Sequence, residues 1–224
     1  MRFIELSHTI EPGMKTYPGL PEPRAEVLLD HETSRVRYQE QSEFLIASLH
    51  LCGNTGTYVD SPLHRYRNAV DLAGLPLERL AHLRTVLVDA PTGVERGIGA
   101  AAFHGIDVRD RAVLVRTDWS KHWRTPRYFA PNPFLTRAAC EYLAGEGARF
   151  VGIDSLNIDD IEDLARPAHT VLLGAGIPVC EHMTNLAAAQ GAHGRLHAVP
   201  IAWVGGATFP VRAYVIAEDG GMST

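Results

Sequence analysis

The chain reads as one α/β domain whose sheet is not of the simple doubly wound kind. At 224 residues with 46% apolar content it can bury one sizeable core. Short alternating or apolar runs bounded by glycine and proline recur along its length, the pattern of many strands. Helical patterns are few and unevenly spaced, whereas a doubly wound sheet needs regular βαβ alternation.

In chain order, residues 2–7 alternate as a strand, and 25–29 follow after the proline-rich stretch 17–23, a stiff turn-rich loop. Residues 43–51 read as a buried strand. Further strands are expected at 84–89, 112–116, 150–153, 177–180, 198–204 and 211–216. The clearest helix opens at Asn132-Pro133, with asparagine as cap and proline at the first helical position. Leu135, Ala139, Tyr142 and Leu143 give it an apolar face, and Gly145 a stop. Shorter helices are expected near 75–82, 100–104 and 184–189. No repeat or linker divides residues 1–224, and 219–224 reads as a mobile tail.

Composition excludes several classes of function. A net charge of −5, with histidine neutral, leaves no basic footprint for nucleic acid or an anionic membrane. No apolar run reaches transmembrane length, and the N-terminus enters a strand pattern directly. Three cysteines, at 52, 140 and 180, are odd in number and lack close spacing, which fits a reduced cytoplasmic protein. Gly152-Ile-Asp-Ser155-Leu-Asn lacks the nucleophile-elbow pattern, so a serine hydrolase is not expected.

Residues 53–64, Gly-Asn-Thr-Gly-Thr-Tyr-Val-Asp-Ser-Pro-Leu-His, concentrate the chemistry. Asp60, Pro62 and His64 share one parity, so in an extended chain the carboxylate and imidazole project to the same side. A second block, 168–186, carries His169 and Glu181. The first stretch is similar to the His-x-Gly-Thr-His-x-Asp-x-Pro-x-His signature of the cyclase family, which includes bacterial kynurenine formamidases and isatin hydrolases. Gly56, Thr57, Asp60, Pro62 and His64 match it, while Asn54 and Tyr58 stand where the family has histidines. The second block resembles the family's downstream segment, and the resemblance runs over most of the chain.

The resemblance implies a swivelling β/β/α architecture, a mixed sheet curling toward a barrel with flanking helices, in a homodimer or homotetramer. It implies Asp60, His169 and Glu181 as metal ligands and His64 as the acid/base, acting on a small-molecule amide or ester. Carboxylates plus imidazole suit zinc or manganese. Asn54 offers only a neutral carbonyl oxygen, and Tyr58 a phenol that ligates well only when ionised, from a reference pKa near ~10. These degenerate positions predict one divalent ion rather than two. His50 is no replacement, standing roughly 13 Å along an extended chain from Asn54, and His182 points to the other face if the strand continues.

Tyr17 resembles a substrate-contacting aromatic of the family, and Trp119 is a candidate wall for a planar ring, although packing under a loop explains it equally well. His8 stands in a string similar to one near family sites. His31, His82, His104 and His197 read as solvated or structural, and the run Asp159-Asp160-Ile-Glu162-Asp163 as a solvated acidic loop. Two other functions compete with hydrolysis. One is a metal-free acid/base cyclase, dehydratase or isomerase using Asp60, His64 and Glu181; the other is a binding protein that has lost its chemistry.

Overall fold

The computed structural model describes residues 1–90, 95–191 and 194–217. Its strands are β1 (Arg2–Glu5), β2 (Arg24–Leu29), β3 (Ile46–His50), β4 (Tyr58–Asp60), β5 (Ala81–Asp89), β6 (Gly97–Ile98) and β7 (Ala112–Arg116). They continue with β8 (Phe134–Leu135), β9 (Phe150–Ile153), β10 (Val179–Glu181), β11 (Gly194–His197), β12 (Thr208–Pro210) and β13 (Tyr214–Ala217). The helices are α1 (His31–Arg37), α2 (Arg137–Gly145) and α3 (Pro167–Gly174). Nine strands form one mixed sheet in the order β1-β13-β11-β5-β7-β9-β10-β4-β12, curled into a half-barrel. Its centre, β5-β7-β9-β10, is parallel, and the pairings on either side are antiparallel.

Both faces of β7 and β9 are buried, which is why residues 112–115 and Phe150–Ile153 read as continuous apolar runs, whereas β5 exposes His82, Arg84 and Asp89. On β7, Ala112 and Leu114 point into the hollow of the curl, packing with Leu6, Leu196 and Val215. Val113 and Val115 point the other way, onto Ala139, Cys140 and Leu143 of α2 and Ala168, Leu172 and Leu173 of α3. Gly152 is required because a Cβ there would collide with Met183 Sδ.

Several sequence expectations are corrected. The helix after Asn132 begins later, at Arg137, where the Thr136 hydroxyl accepts from Ala139 N–H. Phe134–Leu135 is a short strand paired with β6. Asn132 is not a cap. Its buried amide donates to the Asn157 carbonyl (2.7 Å) and Ser155 Oγ (3.1 Å), tying two loops together. The expected buried strand at 43–51 is β3, which pairs only with β2 and leaves Ile46 and Leu49 about half exposed. Residues 198–204 are not a strand; the strand in that region is β11 before them, which lies between β13 and β5. The short helices at 75–82, 100–104 and 184–189 are single 3₁₀ turns at Leu77–Arg79, Ala100–Phe103 and Leu186–Ala189. Helix α1, capped by Asp30 through Thr33 N–H, carries no apolar stripe that would have announced it. The expected tail at 219–224 lies outside the described residues.

Candidate active site

Three adjacent strands set most of the site by register alone. β4 lies between β10 and β12, with Tyr58 opposite Glu181 and Asp60 opposite Thr208. Tyr58 and Asp60 are two residues apart and share one face of the sheet. Tyr58 Oη therefore donates to Glu181 Oε2 at 2.5 Å, and Thr208 Oγ1 donates to Asp60 Oδ1 at 2.6 Å. The turn into β4 depends on its glycines. Gly56 has φ +66°, and a Cβ on Gly53 would overlap the Thr208 carbonyl oxygen of the neighbouring strand.

The imidazole comes from the other side, on the first turn of α3. Pro167 opens this helix and Arg166 before it is left-handed, at φ 47°. Buried Asp159 accepts from Ala168 N–H (2.6 Å) and His169 N–H (3.2 Å), capping α3 from outside, and its Oδ2 also lies 2.6 Å from His169 Nδ1. Asp159 is thus no solvated acid but the partner that fixes the histidine's tautomer, with Nε2 turned into the site. Nothing in the sequence distinguished it from Asp160 beside it, because only the fold decides which member of an acidic run faces inward.

His169 Nε2 lies 3.5 Å from Asp60 Oδ2 and 3.6 Å from Glu181 Oε1. Two ligand atoms about 2.1 Å from a tetrahedral ion stand ~3.4 Å apart, so each separation taken singly suits a shared ion. Among the described residues, the ligand atoms that all lie within 4.8 Å of one another are those of Asp60, His64 and His169, and Glu181 Oε1 also accepts from Ile158 N–H at 2.6 Å. Asp60 Oδ2 and His169 Nε2 are also buried without a good hydrogen-bond partner. The residues present therefore fit a divalent metal. His64 stands at the rim and, with Asp60 and His169, places its ligand atom within 4.8 Å of the others. It reaches that position through a 3₁₀ turn, Pro62–His64, and not through the expected extended parity.

The electrostatics of these groups follow from burial and proximity. His169 is desolvated, but its hydrogen bond to Asp159 and the nearby carboxylates of Asp60 and Glu181 prevail and raise it to about 10. Burial would lift Asp60 too, yet His64, His169 and Thr208 together hold it below the usual carboxylate range. Glu181 is pushed up to about 7, first by burial and then by the Asp60 charge. Tyr58 is driven well above its ordinary value by burial and by the charge of Glu181, so it remains a neutral donor.

Thr208 also settles the state of His64. Its one hydroxyl proton goes to Asp60, so Thr208 Oγ1 accepts at 3.1 Å from His64 Nδ1–H, which orients the ring. Thr208 lies 148 residues from Asp60, and no local pattern links them.

The cavity above these groups has a volume of about 510 Å³, and Tyr17, Asn54, His64, Arg65 and Arg166 are among its lining residues. Tyr17 is thus where the sequence expected it, while Trp119 is not a wall of this cavity. Its indole donates to the Tyr128 carbonyl oxygen at 3.0 Å, a packing role. His8 stacks on Trp123 with ring centroids 3.9 Å apart and donates its backbone N–H to Thr57, bracing the turn below the site. His182 is left-handed rather than extended and is buried against the Tyr128 hydroxyl at 3.0 Å.

Residues 4–160 match the family described as putative cyclase. The chain belongs to the cyclase family. It is 29% identical over 221 residues to a kynurenine formamidase of Salinibacter ruber, covering 95% of this chain and 96% of the relative. It is 32% identical over 181 residues to a kynurenine formamidase of Bordetella avium, covering 78% and 81%. Isatin hydrolase A from Labrenzia aggregata superposes with a TM-score of 0.80 at 22% identity, covering 97% of this chain and 94% of that one. That likeness confirms the cyclase-family fold.

Proposed function

We propose that the protein is a metal-dependent hydrolase of an amide, formamide or lactone, similar in activity to the kynurenine formamidases, using one zinc or manganese ion. The observation that carries this reading is the convergence of Asp60 Oδ2 and Glu181 Oε1 on His169 Nε2, at 3.5 and 3.6 Å. The names of its relatives support the reaction class.

Asp60, His169 and Glu181 would hold the ion, and Asp159 would keep His169 Nε2 aimed at it. The ion would supply Lewis acidity to polarise the substrate carbonyl. His64, held at Nδ1 by the Thr208 contact, would take a proton from the attacking water at Nε2 and return it to the departing nitrogen or oxygen. Thr208 would keep that ring in place. Tyr58 would occupy Glu181 Oε2 with a neutral hydrogen bond, which supports one ion rather than two. Asn54 lines the cavity beside Tyr58.

The test is hydrolysis of aryl formamides and lactones. Asp60→Ala should lose both bound metal and turnover, and His64→Ala should lose ~10²–10⁴-fold in rate with metal retained. An active, metal-free Asp60→Ala protein would overturn the reading. The metal-free acid/base alternative has one observation behind it, the Glu181 carboxyl raised to about 7 beside Tyr58, and turnover indifferent to chelator would favour it. We place the protein in the cytoplasm as a homodimer or homotetramer, a reading its three free cysteines and the exposed apolar β2–β3 ribbon support.

A further inference from the structure

Two arginines line the cavity, and no carboxylate neutralises either among the described residues. Arg166 bonds through Nη1 to the Asp160 backbone carbonyl (2.9 Å) and lines the cavity together with Tyr17. Arg65 donates Nε to Thr170 Oγ1 at 3.0 Å. The acids nearest in sequence are engaged elsewhere. Asp160 is paired bidentately with Arg96, Glu162 also lies against Arg96, and Asp163 accepts from Ala165 N–H.

Arg166, half-buried, is anchored by that bond, Arg65 is exposed and held at one point, and both still have donors to spare. One helix arranges them: Arg166 sits at the N-cap of α3, and Thr170, one residue after His169, holds Arg65. The left-handed backbone of Arg166, at φ 47°, is a conformation that costs of order 1–3 kcal/mol for a non-glycine residue and gathers at functional sites. A planar fork of this kind recognises carboxylates bidentately. In a chain of net charge −5, a positive cavity mouth above three buried carboxylates is not a consequence of composition.

We propose that Arg166, assisted by Arg65, is the substrate-recognition site for a carboxylate, so that the molecule hydrolysed carries an anionic group away from its scissile bond. This rests on the hydrolase reading for the reaction but not for the binding. Tyr17 lies beside the fork and offers its ring face to the body of the substrate.

The experiment compares a carboxylate-bearing formanilide with its primary carboxamide, in wild-type holoenzyme, Arg166→Gln and Arg166→Lys. Wild type should prefer the acid in kcat/KM. Arg166→Gln should reduce that preference ~10–100-fold, mainly by raising KM for the acid, and Arg166→Lys should restore part of it. Calorimetric binding of benzoate and benzamide to the same proteins gives a readout that needs no turnover. Benzoate affinity falling ~10-fold or more in Arg166→Gln supports the site. If neither formanilide is hydrolysed but that loss occurs, the hydrolase reading fails and the carboxylate site stands. Equal acid preference, or equal benzoate affinity, in wild type and Arg166→Gln overturns it.

Discussion

Thr208 shows how much of the proposed chemistry one side chain can set. Its hydroxyl donates to Asp60 and accepts from His64, so it orients a proposed metal ligand and the proposed base together. Thr208→Val should lower kcat/KM ~10–100-fold, in the range seen when partners behind a metal ligand are removed, while Thr208→Ser retains most activity. Equal kinetics in the valine variant would show that His64 is positioned by something else. On the proposed one-ion reading, Tyr58 would limit the metal count in the same way, by occupying Glu181 Oε2. Tyr58→Phe leaves buried Glu181 Oε2 without its donor and should cost ~1–3 kcal/mol in urea denaturation. The double change Asn54→His with Tyr58→His should raise bound metal from one to two per chain, read by elemental analysis. Asp60, His64, His169 and Glu181 were legible in the sequence because the resemblance marked them. Asp159 and Thr208 were not, since the first sits in an acidic run that looks solvated and the second is joined to Asp60 only by strand register.

At the scale of elements, the site is a junction between the β10-β4-β12 edge of the sheet and the first turn of α3. The parallel centre was readable because burial on both faces leaves unbroken apolar runs such as residues 112–115. The β2–β3 ribbon misled, because Ile46 and Leu49 look like core residues and yet are exposed. The start of α2 misled for another reason: an Asn-Pro pair resembles a helix cap, but the Asn132 amide is drawn inward by Ser155 and Asn157. Asp159 is where helix and site meet, as cap of α3 and partner of His169. Asp159→Ala should remove about 1 kcal/mol of capping and weaken metal affinity ~10–100-fold. Thermal melts with and without added zinc separate the two, since excess metal should recover the second loss and not the first.

For the whole molecule, pH and assembly offer independent checks. His8 is lowered to about 4 by burial, and His182 to about 3 by burial and then by the nearby His8. Both are neutral in the fold but protonated in the unfolded chain once pH drops below about 6.5. Their contribution is therefore a slope of falling stability from about pH 6.5 toward 4, opposed by Glu181 and Asp154, whose carboxyls, raised by burial to about 7 and about 6, take up protons in the fold over the same range. His8→Gln should flatten that slope in urea melts at successive pH values; an unchanged slope would mean His8 is protonated in the fold. Val27, Leu28, Ile46 and Leu49 expose apolar area on the ribbon, of the kind that marks an interface. Wild type should elute as an oligomer, and Leu28→Glu with Leu49→Glu should shift it toward the monomer.

The central claim is that one divalent ion joins Asp60, His169 and Glu181, and elemental analysis of protein purified without chelator tests it most directly. We expect one zinc or manganese per chain in the wild type and a proportionate loss in His169→Ala. Full hydrolytic activity in protein carrying no stoichiometric metal would contradict it.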